Sequence, residues 1–349
     1  AGLDLEFFGN RLSLELDYYY RYTDKLLAQV TLPGDYNAYT AQWQNAYAIS
    51  NQGIELQIKA DLIRSEKLHW DFSFNIARNW NRFEKSNNGM DFTNLASKHN
   101  LNIIGKPLNG IYVYNDEGYY NSQDEVPLYY VNGRRKYLSS LGNQIYSPGD
   151  RRIQDVDGNG QVATMVPLLE DRVYGGSPLP LAFGGIASTL KWKGIDVNLL
   201  FSYKLGRHVL NAGRGASVGT ILRANTAEMM VPILADLDKV SFWQKPGDNT
   251  DFPINELENG KNNFATNLKS NVEKINYLKL KSISIGYILP VFPKQSKHYA
   301  RVFMSVENVF TITNSSSPDP ESIDIVTGVD SNNNYPLATR FTLGLTLNL

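Results

Sequence analysis

The chain contains no cysteine, which excludes disulfides, thiol nucleophiles and thiolate metal sites and leaves the redox compartment open. It has no apolar run approaching the roughly 20 residues that a membrane-spanning helix needs. Any membrane crossing must therefore be made by strands. Charge of one sign is also missing: 34 basic residues against 35 acidic ones give a net charge of −1. There is no basic field to gather nucleic acid, so no nucleic-acid partner is expected. Histidine is scarce, and His69, His99, His208 and His298 are too scattered for a local zinc or triad pattern. The sequence opens at Ala1 on strand-like residues rather than on Met, and the true N-terminus is expected upstream.

What is present in quantity is tyrosine, 21 residues beside 15 Phe and 5 Trp. Such rings suit layers where an apolar body meets a wet edge. They occur in an alternating pattern. In residues 11–22, Leu12, Leu14, Leu16, Tyr18, Tyr20 and Tyr22 take one face, against Arg11, Ser13, Glu15, Asp17 and Arg21 on the other. That is a period-two strand whose apolar face ends in tyrosines, as at a headgroup boundary. The pattern recurs with Ile54, Leu56, Ile58, Ala60 and Leu62, and again with Leu68, Trp70, Phe72, Phe74 and Ile76. It returns with Ile195, Val197, Leu199, Phe201 and Tyr203, and at the end with Phe341, Leu343, Leu345, Leu347 and Leu349. Between Leu278 and Tyr287 the apolar phase shifts, which predicts a bulge near Lys281 and Ser282. With 2–8, 181–192 and 299–313, nine strands are expected, with Leu14, Leu16, Phe72, Phe74, Leu343 and Leu345 facing lipid and Glu15, Asp71 and Thr342 the lumen.

Connections alternate in length. Gly9-Asn10, 63–67, Lys193-Gly194 and 290–298 are short, while 23–51, 83–180, 207–275 and 314–338 are long. Short turns at one end and long loops at the other describe an all-β, transmembrane antiparallel β-barrel, with the long loops extracellular. A large soluble all-β protein is the alternative, although its loops need not alternate. Single-chain bacterial barrels use even strand numbers, so an odd count implies further strands upstream.

Asp155, Asp157, Asn159 and Gly160 match the first half of a calcium loop, in which alternating side-chain oxygens converge on a hard cation. The twelfth position is Val166 rather than Glu, so an EF-hand is excluded. Glu170 or Asp171 could complete a calcium site, making Asp155, Asp157, Asn159 and Asp171 the candidate ligands. The other reading is a hydrogen-bonded Asp-Gly turn without metal. Tyr112, Tyr114, Tyr119, Tyr120, Tyr129, Tyr130, Tyr137 and Tyr146 lie in the 83–180 loop. They serve either to stack on a ligand or partner, or as the core that so long a loop needs. Gly175-Gly176 and Gly184-Gly185 lack a phosphate-loop context and suit turns or barrel bends. Acids such as Glu15, Asp17 and Asp71 suit a hydrated lumen better than catalysis, and no cofactor is expected beyond calcium at 155–160.

Several stretches resemble the SusC/RagA family of TonB-dependent transporters of Bacteroidetes: residues 2–27, ISNQGIELQIKADL at 49–62, PGDRRIQDVDGNG at 148–160, NYLKLKSISIGYILP at 276–290, VENVFTIT at 306–313, PDPES at 318–322, and YPLATRFTLGLTLNL at 335–349. The resemblance implies that residues 1–349 are the C-terminal nine strands of a 22-stranded barrel, strands 14 to 22, whose plug lies outside the chain. It implies nutrient import of a glycan or peptide with a SusD-like surface lipoprotein and TonB, not an enzyme. A structural or secretion-associated barrel is the alternative, and a membrane-embedded hydrolase the third. The family usually ends in Phe, where this chain has Leu349.

Overall fold

The computed structural model describes residues 1–31, 41–86, 92–93, 99–140, 143–162, 171–214, 241–254, 267–290, 298–331 and 334–348. Among these residues, nine strands follow one another in a single antiparallel meander. They are β1 (Gly2–Phe7), β2 (Leu12–Thr31), β3 (Ala41–Arg64), β4 (Leu68–Ser86), β5 (Ala182–Trp192), β6 (Ile195–Asn211), β7 (Val272–Leu289), β8 (Tyr299–Thr313) and β9 (Arg340–Asn348). Each pairs with its neighbours in sequence, so β2 to β8 have ladder partners on both sides, as strands in hydrocarbon require.

Register sorts the side chains into rows, because directly opposed residues share a face. One row runs Leu14, Ile58, Phe74, Ile186, Phe201, Leu280 and Phe310 across the seven strands β2 to β8. Another runs Trp70, Leu190, Val197, Ile285, Met304 and Leu343. The alternate face carries Asp61, Asp71, Thr189, Asn198, Ser284, Ser305 and Thr342 in one row. Leu14 and Phe74 thus lie on the opposite face from Asp71 and Thr342, as the alternation predicted. The apolar face is left open to lipid: Leu343 is 83% exposed and Leu345 59%.

Two local devices explain where the sequence pattern stops being simple. The predicted bulge is present: Leu200 opposes Ser282 and Phe201 opposes Leu280, leaving Lys281 as the extra residue. A second bulge was not foreseen. Asp61 opposes Asp71 and Ile63 opposes Trp70, so Leu62 is the extra residue and Ile63 takes the place assigned to Leu62 in the apolar row. The short turns are tight. Lys193 and Gly194 both have positive φ (49° and 87°), the backbone of a two-residue hairpin turn. At Gly184 a Cβ would strike the Asn75 carbonyl oxygen, so β5 can approach β4 there only without a side chain.

The strands outrun three expected loop boundaries. Residues 23–51 were expected as one long connection, yet β2 and β3 stay paired to Thr31 and Ala41. Register breaks around Leu26, with Lys25 at positive φ (54°), destroy the period-two signal while the ladder continues. Likewise β4 reaches Ser86 and β6 reaches Asn211, so the long connections span 87–181 and 212–271 rather than 83–180 and 207–275.

Candidate functional site

At the long-loop end, segments from three different connections fold into one body. Tyr114 forms an isolated bridge with Leu268, the Tyr119 hydroxyl donates to the Thr250 carbonyl (3.2 Å), and the Ile254 amide to the Gly149 carbonyl (2.9 Å). The third connection joins through the Thr327 carbonyl, which accepts from the Asn100 side-chain amide (2.9 Å). The core of this body is Tyr114, Tyr120, Val126, Leu138, Tyr146, Ile153, Val162 and Leu268. Tyr112, Tyr114, Tyr120 and Tyr146 are therefore buried structural residues. Burial pushes the Tyr120 hydroxyl up to about 12. Of the eight tyrosines singled out from the sequence of the 83–180 loop, Tyr130 is left open, at 70% exposure, while Tyr119 borders a cleft.

That cleft, about 530 Å³, is lined by Tyr119, Asn121, Arg152, Arg214, Asp248 and Asp251 among others. Arg151 and Asp116 also line it as a nearly buried pair, with Arg151 Nη1 3.0 Å from Asp116 Oδ2. Arg214 reaches Asp251 at 3.5 Å, and the Ser241 hydroxyl donates to Asp251 at 2.9 Å. Both signs of charge and exposed backbone polar groups face the space, an arrangement suited to polar, hydrogen-bonding ligands.

Residues 314–331, the start of the last long connection, fold back against β6 and β7. Lys279, on the polar face of β7, lies 3.1 Å from Asp319 and 2.9 Å from Glu321; Lys281 lies 2.8 Å from Glu321. Burial pulls both carboxyls up, but for Asp319 hydrogen bonds from the Glu321 and Leu337 amides and from Lys279 prevail. For Glu321 the two lysines do the same, so both acids are held below their usual range. Arg207, 1% exposed, donates to the carbonyls of Pro178, Ile323 and Asp324. Sequence reading missed Arg207 and this set of lysines and acids. PDPES was noted only for its resemblance, and nothing local links it to residues 40 positions earlier.

The candidate cation ligands are partly brought together. Asp155, Asp157 and Asp171 each offer an oxygen, all within 4.8 Å of one another, a spread compatible with calcium–oxygen distances. Their oxygens also accept turn hydrogen bonds: Gly158 and Gly160 amides to Asp155 (2.8 Å each), Asn159 to Asp157 (3.0 Å) and Val156 to Asp171 (2.9 Å). Asn159 is held by turn hydrogen bonds of its own. Its amide nitrogen donates to Asp157 (2.7 Å) and its oxygen accepts from the Gln161 amide (2.7 Å). Val166 and Glu170 lie outside the described residues. A second grouping joins Asp61 on β3 to His69 and Asp71 on β4: the hairpin sets Asp61 opposite Asp71, and His69 Nε2 lies 2.9 Å from Asp71 on its own strand.

A family model described as TonB dependent receptor-like, beta-barrel, matches residues 1–213. TonB-dependent receptor P3 of Formosa agariphila is 29% identical over 369 aligned residues, covering 99% of this chain and 33% of that protein. TonB-dependent receptor SusC of Bacteroides thetaiotaomicron is 25% identical, covering 99% of this chain and 31% of SusC. The solved structure of the RagAB peptide transporter shares the fold, with a TM-score of 0.69 at 22% identity over 99% of this chain and 34% of that one. The chain spans about a third of the length of the curated relatives it matches. The alternating rows, the meander and the family match lead to one assignment: the chain belongs to the TonB dependent receptor-like β-barrel family of the outer membrane.

Proposed function

We propose that the barrel to which these strands belong imports a nutrient oligomer, a glycan or a peptide, through the outer membrane, together with a SusD-like surface lipoprotein and with energy from TonB. The observation that carries this reading is the folded body of loops at the long-loop end. Two connections, far apart in sequence, share a core and frame a mixed-charge cleft of about 530 Å³, and the third is hydrogen-bonded to them through Thr327. A barrel with a purely structural role has no need to order so much loop backbone, whose conformational cost must be offset by packing. In this reading the long loops face the cell exterior and receive substrate from the lipoprotein. The charged lining of the cleft holds polar groups of the oligomer, and plug movement opens the lumen.

The test is isolation of the full-length protein from its native membrane, with identification of co-purifying lipoprotein and bound oligomer, followed by uptake of that oligomer in cells. Uptake is expected to stop when TonB is uncoupled, and to weaken when Arg152 and Arg214 are replaced by Ala. Uptake that is indifferent to TonB would refute import of this kind.

A further inference from the structure

The outward face of β2 to β4 changes character over a single step. On β4 the outward residues are Leu68, Trp70, Phe72, Phe74 and Ile76, and the next three outward positions are Arg78, Trp80 and Arg82. Register fixes this assignment. Arg78 opposes Ile54, which opposes Tyr18; Trp80 opposes Gln52 and, beyond it, Tyr20; Arg82 opposes Ser50 and, beyond it, Tyr22. A tilted strand rises roughly 20 Å from Leu68 to Ile76, close to the about 25 Å height of an apolar band. Arg78 and Arg82 therefore stand at headgroup level on the long-loop side.

The edge of β4 above Ala77, where its pairing with β5 ends, is taken over by residues 105 and 106. The Phe83 amide donates to the Lys106 carbonyl (3.0 Å), and the Gly105 amide to the Phe83 carbonyl (2.7 Å). This brings Lys106 into a cleft of about 420 Å³ with Tyr20, Trp80 and Arg82. The Arg78 guanidinium lies over the Trp80 ring at 4.5 Å. The acid in the cleft, Glu84, takes a 2.6 Å hydrogen bond from Ser50 and stands 3.7 Å from Arg82. Among the described residues, no carboxylate pairs with Arg78 or Lys106.

Three cations thus face one acid, beside a tyrosine and tryptophan belt, on a surface turned away from the lumen. A solute passing through the barrel does not meet this surface; a lipid headgroup does. We propose that Arg78, Arg82 and Lys106 bind the phosphate of an anionic lipid in the leaflet at the long-loop end, with Trp80 and Tyr20 holding the headgroup laterally. Arginine suits the task because its planar fork meets phosphate oxygens in pairs and is only weakly hydrated. Each basic residue near an anionic lipid surface strengthens binding by roughly fivefold, so losing both arginines should weaken it by about 25-fold.

The test uses the full-length protein in phosphatidylcholine nanodiscs doped with phosphatidic acid, the retained lipid being read by native mass spectrometry. The wild type is expected to retain phosphatidic acid over diacylglycerol, a comparison that needs no variant. Arg78→Gln/Arg82→Gln should lose that preference by about 25-fold, and Arg78→Lys/Arg82→Lys should keep an intermediate share. Heat-modifiable migration on a gel checks that each barrel is assembled. Equal retention of both lipids by the wild type would overturn the proposal. So would stripping of the lipid by millimolar inorganic phosphate, which would indicate a free-anion site. Loss of a co-purifying protein from the double Gln variant, with its lipid unchanged, would assign the patch to a protein partner and overturn it as well.

Discussion

The ammonium of Lys279 on β7 lies 3.1 Å from the Asp319 carboxylate, with only 3% and 6% of the two side chains exposed. A lysine on the polar face of a transmembrane strand is thereby tied to a loop 40 residues further on, which anchors that loop on the lumen side of the wall. Removing one member of such a buried pair strands the other, at a typical cost of about 3 kcal/mol. Lys279 also meets Glu321, so Lys279→Met should loosen residues 314–331 more than Lys281→Met does, whose acid keeps Lys279. Protease sensitivity of this loop in the two variants, with equal cutting as the contrary result, decides the matter.

The same loop should respond to acid. Asp319 and Glu321 are both held below the usual carboxylate range, and so is Asp324, through hydrogen bonds from the Thr327 amide and hydroxyl. A carboxyl with a depressed folded pKa contributes stability that is fully present above its unfolded value, about 4, and is lost as pH falls through the folded value. Amide protection of residues 319–328 is expected to be unchanged between pH 7 and 5 and to drop below about pH 4. Protection that persists undiminished at pH 3 would show that these acids do not hold the loop.

Much of the wall was legible because period-two alternation is dictated by two unlike solvents, and the rows through Leu14 and Asp71 express nothing else. The phase shift near Lys281 even located a bulge. Alternation already puts Lys279 and Lys281 on one face, but their shared partner was invisible: both reach Glu321. Pairing between residues 40 apart leaves no mark on local sequence. The loop tyrosines were ambiguous for a similar reason, since a ring that packs and a ring that binds have the same composition signal. Only the burial of Tyr114 and Tyr146 separates them from Tyr130.

For the 155–160 turn with Asp171 beside it, calcium remains the proposed ion because three carboxylates converge within 4.8 Å. Their mutual repulsion falls when a cation is shared, even though each already accepts an amide hydrogen bond. Calcium should protect this turn from proteolysis, a chelator should reverse the protection, and Asp171→Asn should abolish the response. A turn equally resistant with and without chelator would be held by its amide hydrogen bonds alone.

The final expectation concerns the two faces of β4, where neighbours in sequence meet different solvents. Phe74 sits in the row with Leu14, Ile58 and Ile186, in the middle of the apolar band, while Ser73 faces the other way between Lys59 and Ala187. An arginine at Phe74 must carry its charge into hydrocarbon or snorkel across half the band, a cost of roughly 2 to 4 kcal/mol at the midplane. At Ser73 the same side chain enters a polar lumen and should cost little. Both positions lie in ladders to β3 and β5, so the contrast is chiefly one of solvent. Urea titration of the full-length barrel refolded into bilayers is expected to show a lowered midpoint for Phe74→Arg and a nearly unchanged one for Ser73→Arg. Equal midpoints would mean that the two faces of the sheet do not meet different solvents, and the barrel reading of the alternation would fall with that result.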